Sequence, residues 1–314
     1  MARAKTSRKT AGGARTSTGP APRTKKQRAA GGVGAKLVGM ADVVIEAAQR
    51  SKDPAFAIPI RALSNVSFNE RKGMIEMGHK KQERTFFNVG MAKKFMQTML
   101  VADALAELQR ADLTTSLREI YYRTKHTIKD SQENTFDTQD ESDPIIEDLE
   151  VSLAELREEL HVRAENGGSI VGPVVFSDDG DNVDCSRLGK GGYSVPSIVE
   201  PEYLEIRKCT ADFLLLVEKG TQWNRLSEDK FWKKYNCVLL TGNGQPPRGV
   251  RRLARRLHEE KKLPVYVLVD NDPWGYYIYS VVKQGSINLA FESERMAIPK
   301  AKFIGLSSGD PEAY

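Results

Sequence analysis

Short apolar runs distinguish the second half of the chain from the first. Residues 213–217, 237–240 and 265–269 are apolar throughout and have the length of β-strands. Between the last two runs, residues 248–262 carry apolar side chains at helical spacing. Strands that are apolar on both faces and alternate with helices are typical of a parallel sheet covered on both sides. The pattern therefore predicts an α/β domain built on a parallel sheet.

The first half shows mainly helical spacing. Apolar positions predict a short helix over residues 41–49 and a longer one over residues 91–108, with Asn88 as the N-cap of the longer helix. Residues 71–87 contain two strand-like segments on either side of a turn at residues 78–81. We therefore predict a β-hairpin between the two helices.

A further helix is predicted over residues 117–123, after a turn rich in capping residues. Two helices joined by such a turn resemble a helix-turn-helix, although helical hairpins of other kinds are common. The acidic segment 136–160 has helical spacing in its second half and precedes a glycine-rich stretch. We place a domain boundary at residues 160–165.

Composition agrees with a globular protein of about two domains. The chain has 314 residues, of which 40% are hydrophobic and 28% are charged. No apolar run approaches the ~20 residues of a membrane-spanning helix, and no secretion signal is visible, so neither a membrane location nor secretion is expected. The three cysteines form no CxxC motif, which argues against a disulfide framework or a zinc finger.

Positive charge is concentrated at the N-terminus. Residues 1–35 contain nine Lys and Arg and no acidic residue, whereas the remainder has 38 basic against 42 acidic residues. The segment lacks aromatic residues and is rich in Ala, Gly, Ser, Thr and Pro, which predicts a disordered tail. Such a polycation is suited to nucleic-acid binding by counterion release, and the alternative is a solubilising leader.

Acidic residues follow two of the predicted parallel strands. Glu218 comes after the first strand, and Asp270 and Asp272 come after the third. Carboxyl ends of parallel strands gather ligand-binding groups, and carboxylate oxygens suit Mg²⁺. Asn271 is expected to point away and is not a predicted ligand. The alternative interpretation is a set of surface acids that end strands, since a DxD motif has low specificity.

A pair of tyrosines lies on the helix predicted over residues 117–123. Arg118 and Tyr122 are four residues apart, so their side chains are neighbours on a helix. A guanidinium there could favour the phenolate of Tyr122 and steady a phosphate under attack. The alternative is that both Tyr121 and Tyr122 pack half-buried with their hydroxyls in water.

Seven short motifs in one order resemble the A-subunit family of DNA topoisomerase VI, which is related to the protein that makes meiotic double-strand breaks. The resemblance covers about residues 61–306. The motifs are Phe86-Phe-Asn-Val89 with Lys93-Lys-Phe-Met-Gln97, Thr115-Ser-Leu-Arg-Glu-Ile-Tyr-Tyr122, Ser142-Asp-Pro144 with Asp148-Leu-Glu150, Gly191-Gly-Tyr193 with Pro196-Ser-Ile-Val-Glu200, Val217-Glu-Lys219, Gly242-Asn-Gly-Gln-Pro246 and Asp270-Asn-Asp-Pro273.

The resemblance implies a mixed α/β chain in which a winged-helix domain precedes a Toprim domain. We expect a basic tail over residues 1–35, the winged-helix domain with its N-terminal extension over 36–162, and the Toprim domain over 163–314. Tyr122 is then the catalytic nucleophile and Arg118 assists it. Glu218, Asp270 and Asp272 are the implied ligands of Mg²⁺, and the tyrosine of one protomer is implied to work against the metal site of its dimer mate.

The implied function is transient double-strand cleavage of DNA through 5′-phosphotyrosyl links in an ATP-dependent type II topoisomerase. The A subunits are implied to form a homodimer and to assemble with two ATP-binding B subunits into an A2B2 heterotetramer that relaxes and decatenates DNA. No P-loop motif occurs in this chain, so ATP is expected only on the B subunit. A cytoplasmic, nucleoid-associated location is expected.

Three rival functions share part of this pattern. A break-forming DNA-binding protein of the meiotic type would cut without strand passage. A Toprim nuclease or primase-like enzyme would keep the acids without needing the tyrosine motif, and a structural nucleic-acid protein would explain only the tail. The chain departs from the family pattern at both ends. Family members continue for several tens of residues beyond the point matching Tyr314, so the Toprim domain is expected to lack its end. The basic tail is not part of the family pattern.

Overall fold

The fold is known from a computed structural model that describes residues 32–306 and residue 310. These described residues form nine α-helices and fifteen β-strands. The helices are α1 (Val33–Gln49), α2 (Val89–Ala111), α3 (Leu117–Thr124), α4 (Gln139–Leu153), α5 (Gly220–Glu228), α6 (Phe231–Lys234), α7 (Arg248–Lys261), α8 (Pro273–Gln284) and α9 (Ser293–Met296). The strands are β1 (Ala55–Pro59), β2 (Val66–Asn69), β3 (Met74–Met77), β4 (Lys81–Thr85), β5 (Thr115–Ser116), β6 (Val162–Arg163), β7 (Ser169–Val171), β8 (Val174–Asp178), β9 (Asp181–Asp184), β10 (Tyr193–Ser194), β11 (Leu204–Cys209), β12 (Phe213–Val217), β13 (Cys237–Thr241), β14 (Val265–Leu268) and β15 (Lys302–Ile304).

Helices α1 to α4 share one hydrophobic core, to which Leu37, Leu105, Ile120 and Leu149 contribute one buried side chain each. The predicted long helix is confirmed as α2, and Asn88 caps it by accepting a hydrogen bond from the Gly90 amide at 3.0 Å. Helix α1 begins eight residues earlier than predicted, because its first turn also buries apolar side chains in this core. The tail predicted over residues 1–35 therefore overlaps α1, and residues 1–31 of it lie outside the described part of the chain.

The hairpin predicted over residues 71–87 is wrong. Strand β3 pairs with β2, whereas β4 pairs with β1, and both pairs are antiparallel. Buried Asn65 fixes this arrangement, because its side-chain amide donates to the carbonyls of Ile60 and Lys80 at 2.9 and 3.1 Å. The side chain of Asn65 thus holds the segment between β3 and β4, and these two strands do not pair with each other.

The acidic helix is α4, and it covers only part of the segment where helical spacing was predicted. It ends at Leu153 because Ala154 adopts a left-handed conformation with φ of 52°. Leu156 and Leu160, assigned to the helical face from spacing alone, lie beyond this end. Leu160 is nevertheless fully buried in the core of α1 to α4, so its apolar character reflects burial without helical periodicity.

The second half contains a six-stranded sheet in the order β10-β7-β13-β12-β14-β15. Strand β12 pairs in parallel with both β13 and β14, and β15 extends the parallel part. The predicted parallel sheet is confirmed. Its central strands are buried on both faces, with Leu214 and Leu216 in one core and Leu215 and Val217 in the other.

A smaller antiparallel sheet of β9, β8 and β11 connects the helical part to the six-stranded sheet. It lies within residues 163–314, which were predicted to form the Toprim domain without further subdivision. Phe176 and Ile206 of this small sheet enter the same core as Leu214 and Leu216 of β12. The two sheets are therefore packed against each other.

Buried ion pairs join the helical part to the six-stranded sheet domain. Glu150 on α4 accepts hydrogen bonds from Arg157 at 2.7 Å and from Arg248 on α7 at 3.1 Å. Arg248 also pairs with Glu292. Among the helices of the described residues, none has the length and apolar character required to cross a membrane.

Candidate active site

Tyr122 projects from α3, and the sequence around it explains its position. Ser116 caps the helix by accepting a hydrogen bond from the Glu119 amide at 3.1 Å, a contact worth about 1 kcal/mol. Ile120, Tyr121 and Thr124 are buried and hold one side of the helix against the core. Tyr122 is 54% exposed on the other side, so its phenol is accessible.

Arg118 lies one helical turn before Tyr122 and contacts it. Its Nη2 donates to the Tyr122 hydroxyl over a long 3.4 Å, and its Cζ lies 5.8 Å from the centroid of the phenol ring. The hydrogen bond to Tyr122 raises the pKa of Arg118 above its usual value. The structure thus brings together the two residues that the helical spacing placed side by side.

Tyr121 has a different role. It is only 8% exposed, and its hydroxyl donates to the backbone carbonyl of Asp137 at 2.8 Å. Lys125 donates to the same hydroxyl at 2.7 Å, and this contact raises the pKa of Lys125. The rings of Tyr121 and Tyr122 lie 5.1 Å apart. Tyr121 is therefore buried against the core, and Tyr122 presents the exposed phenol of the pair.

Glu218 and Asp270 meet at the carboxyl edge of the parallel sheet. Glu218 directly follows β12, and its amide donates to the Leu268 carbonyl at 2.9 Å, which continues the pairing with β14. Its carboxylate is buried and accepts from the Asp270 amide at 3.1 Å. Because β12 and β14 are neighbouring strands, these two acids lie at the same edge of the sheet.

Lys219 forms an ion pair with Asp270 at this edge. The pKa of Lys219 is raised, first by its hydrogen bond to Asp270 and further by the negative charges of Glu218 and Asp272. All three acids are therefore close enough to attract the Lys219 ammonium. Lys219 belongs to a motif of the family resemblance, and its position next to Glu218 is the only sequence signal for its place at this edge.

Asp272 is used in a different way, as the N-cap of α8. Its Oδ1 accepts a hydrogen bond from the Gly275 amide at 2.7 Å. Gly275 is required here, since a Cβ at this position would lie 2.3 Å from the Asp270 carbonyl oxygen. Asn271 turns to the surface, where its side-chain oxygen accepts from the Tyr276 hydroxyl at 3.0 Å.

The acidic edge has the donor chemistry that Mg²⁺ prefers, because all three side chains offer hard carboxylate oxygens. In this conformation, the described residues contain no group of three or more His, Cys, Asp or Glu side chains arranged to hold a metal ion. Asp270 is engaged by Lys219 and Asp272 by the end of α8. The donor set fits the ion, because Lys219 and the Gly275 amide each engage only one of the two oxygens of their carboxylate.

The tyrosine and the acids form two separate groups. Within the described residues, no hydrogen bond or ion pair connects Tyr122 or Arg118 with the carboxylates of Glu218, Asp270 or Asp272. Each group is located in its own part of the fold, one on α3 and the other at the edge of the six-stranded sheet.

Family models match three consecutive parts of the chain. Residues 93–162 match the model described as "Type IIB DNA topoisomerase", and residues 164–210 match "All-beta domain in DNA topoisomerase VI alpha subunit". Residues 213–314 match the model of the Toprim domain that the A subunits of topoisomerase 6 share with Spo11. The first range contains α3, the second the small antiparallel sheet, and the third the parallel strands with their acidic edge.

Sequence identity with known proteins over most of the chain agrees with these family models. The A subunit of type 2 DNA topoisomerase 6 from Pyrococcus abyssi is 46% identical over 279 residues, which cover 89% of this chain and 72% of the relative. The corresponding protein of Aeropyrum pernix is 43% identical over 84% of this chain and 69% of its own length. That of Methanocaldococcus jannaschii is 38% identical over 88% of this chain and 74% of its own length. With this identity over most of both sequences, the chain belongs to the family of type 2 DNA topoisomerase 6 A subunits.

Proposed function

We propose that this chain is the DNA-cleaving A subunit of a type IIB topoisomerase and that Tyr122 is its nucleophile. The observation that carries the proposal is the exposed phenol of Tyr122 beside the Arg118 guanidinium, at 3.4 Å. Tyr121, its neighbour in sequence, is buried and donates its hydroxyl to the Asp137 carbonyl, which favours Tyr122 as the nucleophile. The names of the relatives, all type 2 DNA topoisomerase 6 A subunits, support the same activity.

The cleavage step is an in-line transfer of a phosphoryl group. The Tyr122 phenol oxygen attacks the phosphorus of a DNA phosphodiester, and the bond from phosphorus to the 3′-oxygen breaks. The phenol proton is released, the leaving 3′-oxygen gains a proton, and a 5′-phosphotyrosyl link remains. Arg118 donates a hydrogen bond to the Tyr122 oxygen and offsets charge on the phosphate oxygens. Because one phosphodiester replaces another, the reverse attack by the 3′-hydroxyl reseals the strand without ATP.

Glu218, Asp270 and Asp272 would hold Mg²⁺, which supplies charge neutralisation at a reacting phosphate when bound. The contribution of the protein is to place three carboxylates at one sheet edge and to keep Lys219 beside them. Asp270 is oriented by Glu218 through its amide, at 3.1 Å. Glu218 is in turn fixed by the pairing of β12 with β14.

The chain is proposed to act as two copies on double-stranded DNA. The tyrosine group and the acidic group do not contact each other within the described chain, which is consistent with each phenol meeting the carboxylates of a second copy. An ATP-binding B subunit would then drive strand passage in an A2B2 assembly that relaxes and decatenates DNA. We propose that this assembly is cytoplasmic and associated with the nucleoid.

We further propose a basic tail that ends where α1 begins, a winged-helix domain with its N-terminal extension up to residue 162, and a Toprim domain that starts at 163. The pair α2 and α3, joined by a five-residue turn, supports the winged helix. The family models agree with a break near residue 163 and match residues 164–210 and 213–314, both within the proposed Toprim range, as two separate parts.

The proposal is tested with two tyrosine variants. We expect Tyr122→Phe to abolish covalent protein–DNA adducts in an assay with supercoiled plasmid, Mg²⁺, ATP and a B subunit. Tyr121→Phe, the matched control, removes a hydroxyl from the adjacent ring and should retain adduct formation. The measurement is the amount of protein-linked linear DNA after denaturation with detergent.

Two results would contradict the assignment. Adducts formed by Tyr122→Phe would exclude Tyr122 as the nucleophile. Loss of adducts in Tyr121→Phe together with retention in Tyr122→Phe would transfer the role to the buried residue.

A further inference from the structure

A cavity of about 340 Å³ lies between the N-terminus of α7, the segment that follows α4, the loop at residues 196–200 and helix α9. It is separate from the candidate active site, since none of Tyr122, Glu218, Asp270 and Asp272 lines it. Its volume is at the lower end of the range for small-molecule sites. Five arginines and four glutamates are among the residues that line it.

Four of the five arginines that line the cavity are neutralised by carboxylates. Arg252 forms two hydrogen bonds of 2.8 Å with Glu200, and Arg295 pairs with the same carboxylate at 2.6 Å. Arg157 and Arg248 both pair with Glu150, which lies behind the cavity wall. Each of these four guanidinium groups therefore already has a carboxylate partner.

Arg251 is the exception. It is 5% exposed, lines the cavity, and has a buried Nε without a hydrogen-bond partner. Across residues 32–306, its guanidinium forms neither a hydrogen bond nor an ion pair. Glu292 attracts it electrostatically but is paired with Arg248 and Arg295. Burial lowers the pKa of Arg251 to about 10, so the residue remains charged at neutral pH.

An unpaired buried cation is costly, and natural proteins neutralise such groups with a counter-charge. Helix α7 adds a second set of unused donors at the same place. Its N-cap is Pro247, no side chain caps it, and its first turn has no acidic residue. The amides of Arg248, Gly249 and Val250 have no acceptor in the described part of the chain, and the first two of these residues line the cavity.

We propose that this cavity is a binding site for a small phosphoryl oxyanion, held by the Arg251 guanidinium and the N-terminal amides of α7. Free amides at a helix N-terminus and the helix dipole together favour an anion. A guanidinium offers a planar pair of donors that matches phosphate oxygens. A tetrahedral oxyanion has enough acceptor oxygens to engage both groups at once, whereas a carboxylate has only two.

Such a ligand would connect separate parts of the chain. The cavity walls come from the helical part through Arg157, from the loop that precedes β11, and from α7 and α9. The site therefore predicts that bound phosphate stabilises the whole folded chain, because a ligand that binds only the native state raises its stability.

The experiment measures the melting temperature of the full chain in phosphate-free buffer during titration with inorganic phosphate at constant ionic strength. Arg251→Gln is the test variant. Arg255→Gln is the matched control, since Arg255 lies one turn further along α7, pairs with Glu259 and does not line the cavity. We expect a saturable rise in melting temperature for the native chain and for Arg255→Gln.

In Arg251→Gln we expect the affinity for phosphate to fall at least tenfold, roughly the loss expected for one charged hydrogen bond. We also expect this variant to melt at or above the native temperature without phosphate, because it removes an uncompensated buried charge. An equal, saturable phosphate response in Arg251→Gln would overturn the proposal. So would a response in all three proteins that rises linearly without saturation, which marks a general salt effect.

Two further titrations identify the source of the anion. Sodium acetate should give less than a tenth of the phosphate affinity, and equal binding would overturn the phosphoryl assignment. If a short DNA duplex competes with phosphate in the native chain but not in Arg251→Gln, the phosphoryl group comes from the DNA backbone. Unchanged phosphate binding in the presence of duplex supports a free small phosphate.

Discussion

Two adjacent tyrosines show how strongly local surroundings decide the chemistry of a residue. Tyr121 is fixed by Asp137 and Lys125, whereas Tyr122 contacts the Arg118 guanidinium and the ring of its neighbour. Helical spacing alone predicted the contact between Arg118 and Tyr122. The difference between the two phenols could not be predicted from spacing, because Asp137 lies in a later segment.

Removal of the Arg118 guanidinium should slow cleavage. We expect Arg118→Ala to reduce the single-turnover rate of adduct formation about 100-fold, the usual cost of losing one donor that stabilises developing charge. Arg118→Lys should recover part of the rate, since its ammonium keeps the charge without the planar fork. The rate is measured on a DNA substrate that traps the covalent complex.

Arg123→Ala serves as the matched control for this prediction. Arg123 is on the same helix and pairs with Glu107 at 2.9 Å instead of with Tyr122. A similar loss of rate in both variants would show that the effect arises from helix α3 as a whole and not from the contact with Tyr122.

At the scale of elements, local patterns predicted what depends on local sequence. The run at residues 213–217 became β12 with the predicted limits, because a strand buried on both faces needs an unbroken apolar stretch. The predicted hairpin is wrong because β4 pairs with β1, more than twenty residues earlier. Asn65 supports this pairing by a hydrogen bond to the Lys80 carbonyl, directly before β4. A pairing that depends on one buried amide leaves no periodic signal.

The close approach of α8 to the acidic edge gives a test at this scale. We expect Gly275→Ala to lower the free energy of unfolding by roughly 1–3 kcal/mol, the usual cost of overpacking. The added Cβ would lie 2.3 Å from the Asp270 carbonyl oxygen and must push α8 away from that edge. Equilibrium unfolding in urea measures the change.

Gly39→Ala is the control, with the opposite sign expected. Gly39 lies inside α1, and a Cβ there would meet nothing within 4 Å. Alanine should therefore stabilise the chain by about 0.5–1 kcal/mol through its better helix propensity. If Gly275→Ala were as stable as Gly39→Ala, the tight packing around Asp270 would be disproved.

At the scale of the whole molecule, buried ion pairs determine how the helical part meets the sheet. Glu150 and Arg248 are 98 residues apart in sequence and form two hydrogen bonds of 3.1 Å. Pairs of this kind contribute little net stability, yet removal of one partner leaves a buried charge and is costly. Such pairs fix an orientation, and no pattern within either segment could have predicted them.

The charge asymmetry of the chain leads to a test on DNA binding. Deletion of residues 1–31 removes nine basic residues and leaves α1 intact. We expect weaker affinity for duplex DNA and a shallower dependence of the binding constant on salt, by about 0.9 in the logarithmic slope for each lost phosphate contact. Fluorescence anisotropy over a range of salt concentrations measures both quantities.

A full-length variant with these nine residues changed to Gln separates charge from chain length. It should behave like the deletion. An unchanged salt slope in either variant would show that the N-terminal segment does not contact DNA.

Asp272 is the N-cap of α8, and its carboxylate already accepts a hydrogen bond from the Gly275 amide. A cation bound to this carboxylate would change the electric field at the first turn of the helix. Trp274 lies in that turn and is 56% exposed. Occupancy of the acidic edge should therefore be visible as a change in the intrinsic fluorescence of this indole, an optical signal that requires neither DNA nor a label.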